Sequence, residues 1–453
     1  MSLERFYDAF ISYGSRVANI SGNRECSYDE LISKIGRATE YLRGARIKPG
    51  EVVVLESEFH AHGIAYLLAL ISANTIIVPV SSGGRSLADE KIKLSGASKL
   101  ISVSCDGVVE TSDLEYRYNH TYYDVLRKKS VPGLILFTSG TSGVPKAAVH
   151  DLSKLMNRYS IKDKNIRTIN FLLFDHWGGL NTLFNILSSG GCVVSLTERS
   201  PDEVCRIIEK YRVQMLPTSP TFLNLLLLSE AYQRYDLSSL SMVTYGTEPM
   251  PETTLKKLVQ VFPDVRFKQT YGLIEVGVLQ SSTNRNDTTW LKIGGEGYDV
   301  RIVDNILQIK SETAMLGYLN AESPFTRDGY FITGDYVLRD GDYIKILGRR
   351  SEIINVGGEK VYPIEVESVI RCIDNVKDVV VYAESHHITG QIVCAKLNLL
   401  HNEEKESAVR RIKAEARTML DRFKVPVKIH IVEDALYGER FKISRDNISK
   451  KHE

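Results

Sequence analysis

Between residues 52 and about 272, short runs rich in β-branched residues alternate with longer amphipathic segments. No other feature of the chain constrains the fold as tightly. Buried strands that follow one another through helices pair in parallel, because a parallel neighbour needs a crossover of a dozen or more residues. Strands are expected at 52–55, 75–80, 134–137, 169–174, 193–196, 213–216 and 242–245, with helices such as 202–211 and 221–228 between them. The longest apolar run, residues 63–80, is interrupted in its second half by Ser72, Asn74, Thr75 and Pro79. It therefore reads as a buried helix followed by a buried strand, and not as a membrane span. From 299 to 348 the texture changes to short strands with tight turns, including Asp340-Gly341, and an antiparallel subdomain is expected. Beyond Arg349 a shorter alternation follows: a helix near 364–370, strands at 379–382 and 391–398, a charged helix at 403–422 and a strand at 427–432. The expected fold class is α/β. A large N-terminal domain, residues 1–350, would hold helix-flanked sheets and the antiparallel subdomain, and residues 351–453 would form a small α+β domain.

The balance of charge excludes some partners. With 57 Lys and Arg against 56 Asp and Glu the net charge is +1, which gives no electrostatic case for nucleic acid or an anionic membrane. The six cysteines form no CxxC pair and no zinc-like spacing, as expected of reduced thiols in a cytoplasmic protein. Residues 1–10 carry Glu4 and Asp8 and no apolar leader. The close pairs His60/His62 and His386/His387 lack acidic or cysteine partners at ligand spacing, so packing or surface roles are expected of them.

The most informative stretch is the buried strand at 134–137 and the loop that leaves it, Thr138, Ser139, Gly140, Thr141, Ser142, Gly143, Val144, Pro145 and Lys146, with a helical segment expected next. Glycines let successive backbone N–H groups converge on an anion, hydroxyls add donors and lysine adds charge, which is how a loop grips phosphates. Gly-x4-Gly-Lys-[Ser/Thr] cannot be laid over Gly140 to Lys146, so this is no Walker loop. The preceding strand and the Pro-Lys ending argue against a flexible linker.

Thr138 to Lys146 resembles the phosphate-binding signature of the adenylate-forming (AMP-binding) superfamily, which includes acyl- and aryl-CoA synthetases, adenylation domains of peptide synthetases, and luciferases. Further matches occur in the family's order. Tyr271-Gly272-Leu273-Ile274-Glu275 resembles the family's Tyr-Gly-x-Thr-Glu motif, with Ile274 in place of the threonine. The resemblance implies that Gln269, Tyr271 and Gly272, with Gly246, Thr247 and Glu248, border the adenosine, and that Glu275 helps hold Mg²⁺. Asp328 to Asp335 resembles the aromatic-x-Thr-Gly-Asp segment, so Asp335 would accept the ribose hydroxyls and Arg349 would lie on the ribose and phosphate side. Gly348 to Glu367 resembles the hinge and the start of a mobile C-terminal domain, with Ser351 at the pivot and Gly357-Gly358 beside a thiol acceptor's pantetheine arm. Arg440 to Arg445 resembles the Gly-Lys-x-x-Arg segment; Phe441 replaces the glycine, and Lys442 would orient the carboxylate on the α-phosphate.

The acid end follows from Leu173 to Gly179, which resembles the segment bearing an aromatic or histidine gate over the acyl pocket. Aligned on its glycines, it puts His176 at the gate and Trp177 where amino-acid-activating members carry an aspartate; a one-residue slip would turn Asp175 inward. Val243, Tyr245, Thr270, Val278 and Leu279 should line the pocket, with bulky Tyr245 obstructing a deep alkyl tunnel and favouring an aromatic or short acid. The implied enzyme is an AMP-forming acid–thiol ligase that uses ATP and Mg²⁺ on a small carboxylic acid. Its acceptor would be coenzyme A, as in an aryl- or short acyl-CoA ligase, or the phosphopantetheine of an acyl carrier protein. A non-catalytic nucleotide-binding relic is the reading from another class, motivated by Ile274 and Phe441.

Overall fold

The structure, a computed structural model, describes residues 2–82, 85–116, 118–138, 145–438 and Phe441. Two seven-stranded sheets dominate it. In one, Arg266–Gln269, Met242–Tyr245, Met215–Thr218, Arg167–Asn170, Cys192–Ser195 and Val17–Ser21 lie side by side in parallel, with Arg24–Ser27 antiparallel at the edge. The other has a parallel centre of Gly133–Thr138, Ile76–Val80, Val52–Glu56 and Lys99–Val103, flanked by antiparallel strands. The central strands are buried on both faces, which is why they read as continuous runs of Val, Ile and Leu. Helix Ala61–Ser72 packs in the largest apolar core with Leu183 and Leu187 of helix Trp177–Leu187.

The apolar run 63–80 divides as expected into that helix and the strand Ile76–Val80. The segment after the phosphate loop does not: Lys146–Asp151 is a strand, paired antiparallel with Gly133–Thr138 from Thr138 and Lys146 onward. Ala147, Ala148 and Val149 are buried together, and a run without a polar face settles into a two-sided sheet more readily than into a surface helix. The loop thus joins the two arms of a hairpin. Its residues Ser139, Gly140, Thr141, Ser142 and Gly143 lie outside the described residues. Two other strands are displaced: Arg167–Asn170 ends before the turn into helix Trp177–Leu187, and Met215–Thr218 starts after the left-handed Arg212 that closes helix Pro201–Tyr211.

The antiparallel subdomain appears as the sheet Tyr298–Val303, Ile306–Ser311, Phe331–Asp340 and Tyr343–Arg349, the last two joined at Asp340-Gly341. From Ile354 to Ile431 a five-stranded sheet and helices Pro363–Ile370 and Lys405–Met419 enclose a core of their own. Among the described residues no helix is long and apolar enough to cross a membrane.

Candidate active site

The carboxyl ends of Met215–Thr218, Met242–Tyr245 and Arg266–Gln269 open onto two adjoining cavities. Ligands of open α/β sheets gather at such ends because the strand-to-helix loops converge there. One cavity is walled by Glu248, Gln269, Tyr271 and Asp335, the other by Thr138, His176, Trp177, Ile274 and Glu275. They meet at Thr247, Thr270, Gly272, Leu273 and Arg349, which border both. Gly246 allows the junction: a Cβ there would stand 2.6 Å from Thr270 Oγ1 and 2.9 Å from its carbonyl oxygen.

Asp335 and Arg349 face each other across neighbouring strands, and Arg349 Nε lies 2.8 Å from Asp335 Oδ1. Tyr271 donates its hydroxyl to Asp335 Oδ2 at 2.5 Å, and Arg349 Nη1 donates to the Thr333 carbonyl at 2.6 Å. Burial first, and then the Asp335 charge, hold the Tyr271 phenol well above its ordinary value, so it stays a donor. A carboxylate offers about four acceptor positions, so Asp335 can take ribose hydroxyls alongside these protein donors.

Buried Glu275 accepts the Tyr318 hydroxyl on Oε1 at 2.5 Å. Burial and the adjacent Glu275 charge push that phenol up as well. Lys146 Nζ stands 5.5 Å from the Tyr318 ring centroid, so the lysine closing the phosphate loop and the candidate metal carboxylate share one aromatic neighbour. Glu248 has a different setting: its Oε1 accepts the backbone N–H of Thr221 at 2.8 Å, at the N-terminus of helix Pro220–Ser229. It fixes the loop that follows Gly246.

At the acid end, His176 caps helix Trp177–Leu187, its Nδ1 accepting the Gly178 N–H at 3.0 Å. That bond makes Nε2 the protonated nitrogen of the neutral ring. Asp175 lies against Lys91 at 2.7 Å, with both side chains over nine-tenths buried. Thr270 and Val278 line the cavities, but Val243 and Tyr245 belong to the core beneath the sheet and Leu279 to the core of the antiparallel subdomain. Strand alternation is the reason, since Thr244 and Gly246 occupy the opposite parity and reach the cavity instead.

The second domain meets the cavities through two segments. Ile364 and Arg371, at either end of helix Pro363–Ile370, reach the first cavity. Phe441 enters the second, its ring 5.4 Å from Phe171 and 5.7 Å from Phe222, with a left-handed φ of 48° where the resembling motif has glycine. Lys442 lies outside the described residues. Gly357-Gly358 turn between strands Ile354–Val356 and Glu359–Val361, with open space around both among the described residues and away from either cavity wall. Tyr318, Arg199 and Thr218 had no place in the sequence reading. Each sits apart from a motif, and no local pattern announces it.

A model of the AMP-binding enzyme family matches residues 7–331, and one of the AMP-binding enzyme C-terminal domain matches 365–437. The chain is 26% identical to the indoleacetate–CoA ligase of Aromatoleum aromaticum over 70% of this chain and 66% of that enzyme, just under two thirds of its length. It is 24% identical to the 2-succinylbenzoate–CoA ligase of Staphylococcus epidermidis over 97% of this chain and 96% of the relative. An anthranilate CoA ligase solved with anthranoyl-AMP superposes with a TM-score of 0.83 at 19% identity, covering 99% of this chain and 96% of that one, a likeness of fold. With its main and C-terminal modules matched in order, the chain belongs to the AMP-binding enzyme family.

Proposed function

We propose that the chain activates a carboxylic acid with ATP to an acyl-adenylate and passes the acyl group to a thiol, acting as an aryl- or short acyl-CoA ligase. One observation carries the reading: two cavities that meet at Arg349 and Gly272, one bordered by the Tyr271, Asp335 and Arg349 cluster and the other by aromatic side chains. A nucleotide in the first and an acid in the second would bring α-phosphate and carboxylate together at the junction. Adenine fits, because the buried Gln269 Oε1 on the first wall has no hydrogen-bond partner among the described residues and could accept from an exocyclic amine. Mg²⁺ fits as well: Glu275 supplies one hard oxygen donor, enough for an ion that takes its other ligands from phosphates and water. Bound there, the ion neutralises charge on the phosphates.

A carboxylate is a poor electrophile, because its leaving group would be oxide. In the proposed first step a carboxylate oxygen attacks the α-phosphorus, forming a C–O–P link as the bond to pyrophosphate breaks. Lys442 and the loop Thr138 to Lys146 stabilise the charge that accumulates. In the second step the thiol sulfur attacks the acyl carbon, AMP leaves and the thiol proton passes to solvent. Residues 351–453 would turn about Ser351 between steps, exchanging Lys442 for the Gly357-Gly358 turn. Phe441 at the cavity, with the glycine turn away from it, is the arrangement suited to the first step. Relatives named as CoA ligases support coenzyme A over a carrier protein as acceptor.

Acid-dependent ATP–pyrophosphate exchange with Mg²⁺ tests the reading. ADP and phosphate as products would reject it, and ATP binding without exchange for any acid would mark a relic. Comparing free coenzyme A with a holo-carrier protein decides the acceptor.

A further inference from the structure

Polar and apolar groups share the wall of the second cavity, and two buried polar groups on it have no partner among the described residues. Trp177 is 4% exposed and its indole nitrogen makes no hydrogen bond among the described residues; Thr218, 2% exposed, leaves its hydroxyl oxygen equally without a partner among them. Both side chains border the cavity, one from the start of helix Trp177–Leu187 and the other from the end of strand Met215–Thr218. A buried polar group left unsatisfied costs about 1–3 kcal/mol, and most such groups in folded proteins are paired. Two on one wall, on elements far apart in sequence, call for a ligand that satisfies them. A third donor borders the same cavity: Arg199, whose Nε donates to the Phe171 carbonyl at 2.8 Å and is thereby fixed at the wall.

We propose that the acid bound in this cavity carries a second oxygen acceptor, remote from its reacting carboxylate, which is read by the Trp177 N–H, the Thr218 hydroxyl and the Arg199 guanidinium. The proposal rests on the acid-activating reading above. Indole and guanidinium only donate, so the recognised group must accept. A phenolic, keto or second carboxylate oxygen shares that chemistry. A cavity built to hydrogen-bond a substituent discriminates strongly against the analogue lacking it, because its own groups then stay unpaired.

Pyrophosphate exchange with matched acids tests this: benzoate against 3- and 4-hydroxybenzoate and terephthalate, and butanoate against 4-oxopentanoate and succinate. In at least one series the oxygen-bearing acid should exceed its parent in kcat/KM by about tenfold or more. Which member wins separates phenol, ketone and carboxylate. Thr218→Val and Trp177→Phe should each shrink that ratio several-fold through KM for the substituted acid, and Thr218→Ser, which keeps the hydroxyl, should retain it. Parent acids equal to or better than every substituted partner would overturn the proposal, as would variants that leave the ratio unchanged. Exchange with none of the acids would instead reject the acid-activating reading, and the proposal with it.

Discussion

Replacing Lys91 by Met should expose how the acid cavity is held together. Lys91, on helix Arg85–Ser95, places Nζ 2.7 Å from Asp175 Oδ2, with side-chain exposures of 9% and 8%. Ser81 Oγ lies 3.4 Å from the other carboxylate oxygen, and the ammonium stands 5.9 Å from the Phe137 ring centroid. At an effective dielectric of 20 two charges at this distance attract by about 6 kcal/mol, partly offset by desolvation of both. Methionine keeps most of the lysine volume but takes away the ammonium that faces the buried Asp175 carboxylate, which should cost about 3–5 kcal/mol. Adding Asp175→Asn removes that charge and should recover at least half of the loss. Because Asp175 directly precedes His176 and Trp177 at the cavity mouth, KM for the acid should rise in the single variant and partly return in the double. The chain has two tryptophans, so Trp290→Phe leaves Trp177 as a fluorescence reporter two residues from the pair. Urea titration followed at that indole, repeated over the double-mutant cycle, gives the coupling. A single-variant cost below about 1 kcal/mol, or a double equal to the sum of the singles, would refute the argument.

The domain exchange predicts that Lys442→Ala abolishes adenylate formation but spares thiol transfer from supplied acyl-adenylate, and that Gly358→Leu does the reverse; equal losses in both half-reactions would exclude alternation. Tyr271→Phe removes a donor to buried Asp335 and should raise KM for ATP about ten- to a hundredfold, consistent with one lost hydrogen bond to a charged group. An unchanged KM for ATP would take Asp335 out of the nucleotide site. Glu58 supplies a pH test: burial, opposed by Arg199 and the Ser82 N–H, raises its carboxyl from 4.5 to about 7, so the folded state keeps a proton that the unfolded chain releases. The stability this contributes is complete below pH 4.5 and lost as pH rises through 7, so Glu58→Gln should gain roughly 1–3 kcal/mol on the wild type between pH 5 and 8, whereas parallel stability curves would contradict the shift.

Legibility in the sequence followed the range of the interaction. The alternation of strands and helices, the Asp340-Gly341 hairpin and the separate core beyond Ile354 were readable because each depends on patterns within about ten residues. The motif order was readable for the same reason: Thr138, Tyr271-Gly272, Asp335 and Arg349 sit at strand ends or turns whose local sequence is distinctive, and the fold gathers them around two joined cavities. The helix expected after the phosphate loop failed where local preference and pairing compete, since Lys146–Asp151 gains a full antiparallel ladder with Gly133–Thr138.

What the sequence determined by itself was the class of fold and the chemistry brought to one end of a sheet, because glycines, hydroxyls and carboxylates at strand ends have few other uses. Tertiary structure alone decided which side chains face the cavities. Strand Met242–Tyr245 could have turned either parity to the cavity, and core packing of Val243 and Tyr245 turned Thr244 toward it. Glu275 with Tyr318 and Lys91 with Asp175 are pairings across 40 or more positions, and Trp177 and Thr218 reach one cavity from elements equally far apart. Such contacts are fixed when whole sheets and helices pack, a long-range condition that no window of sequence contains.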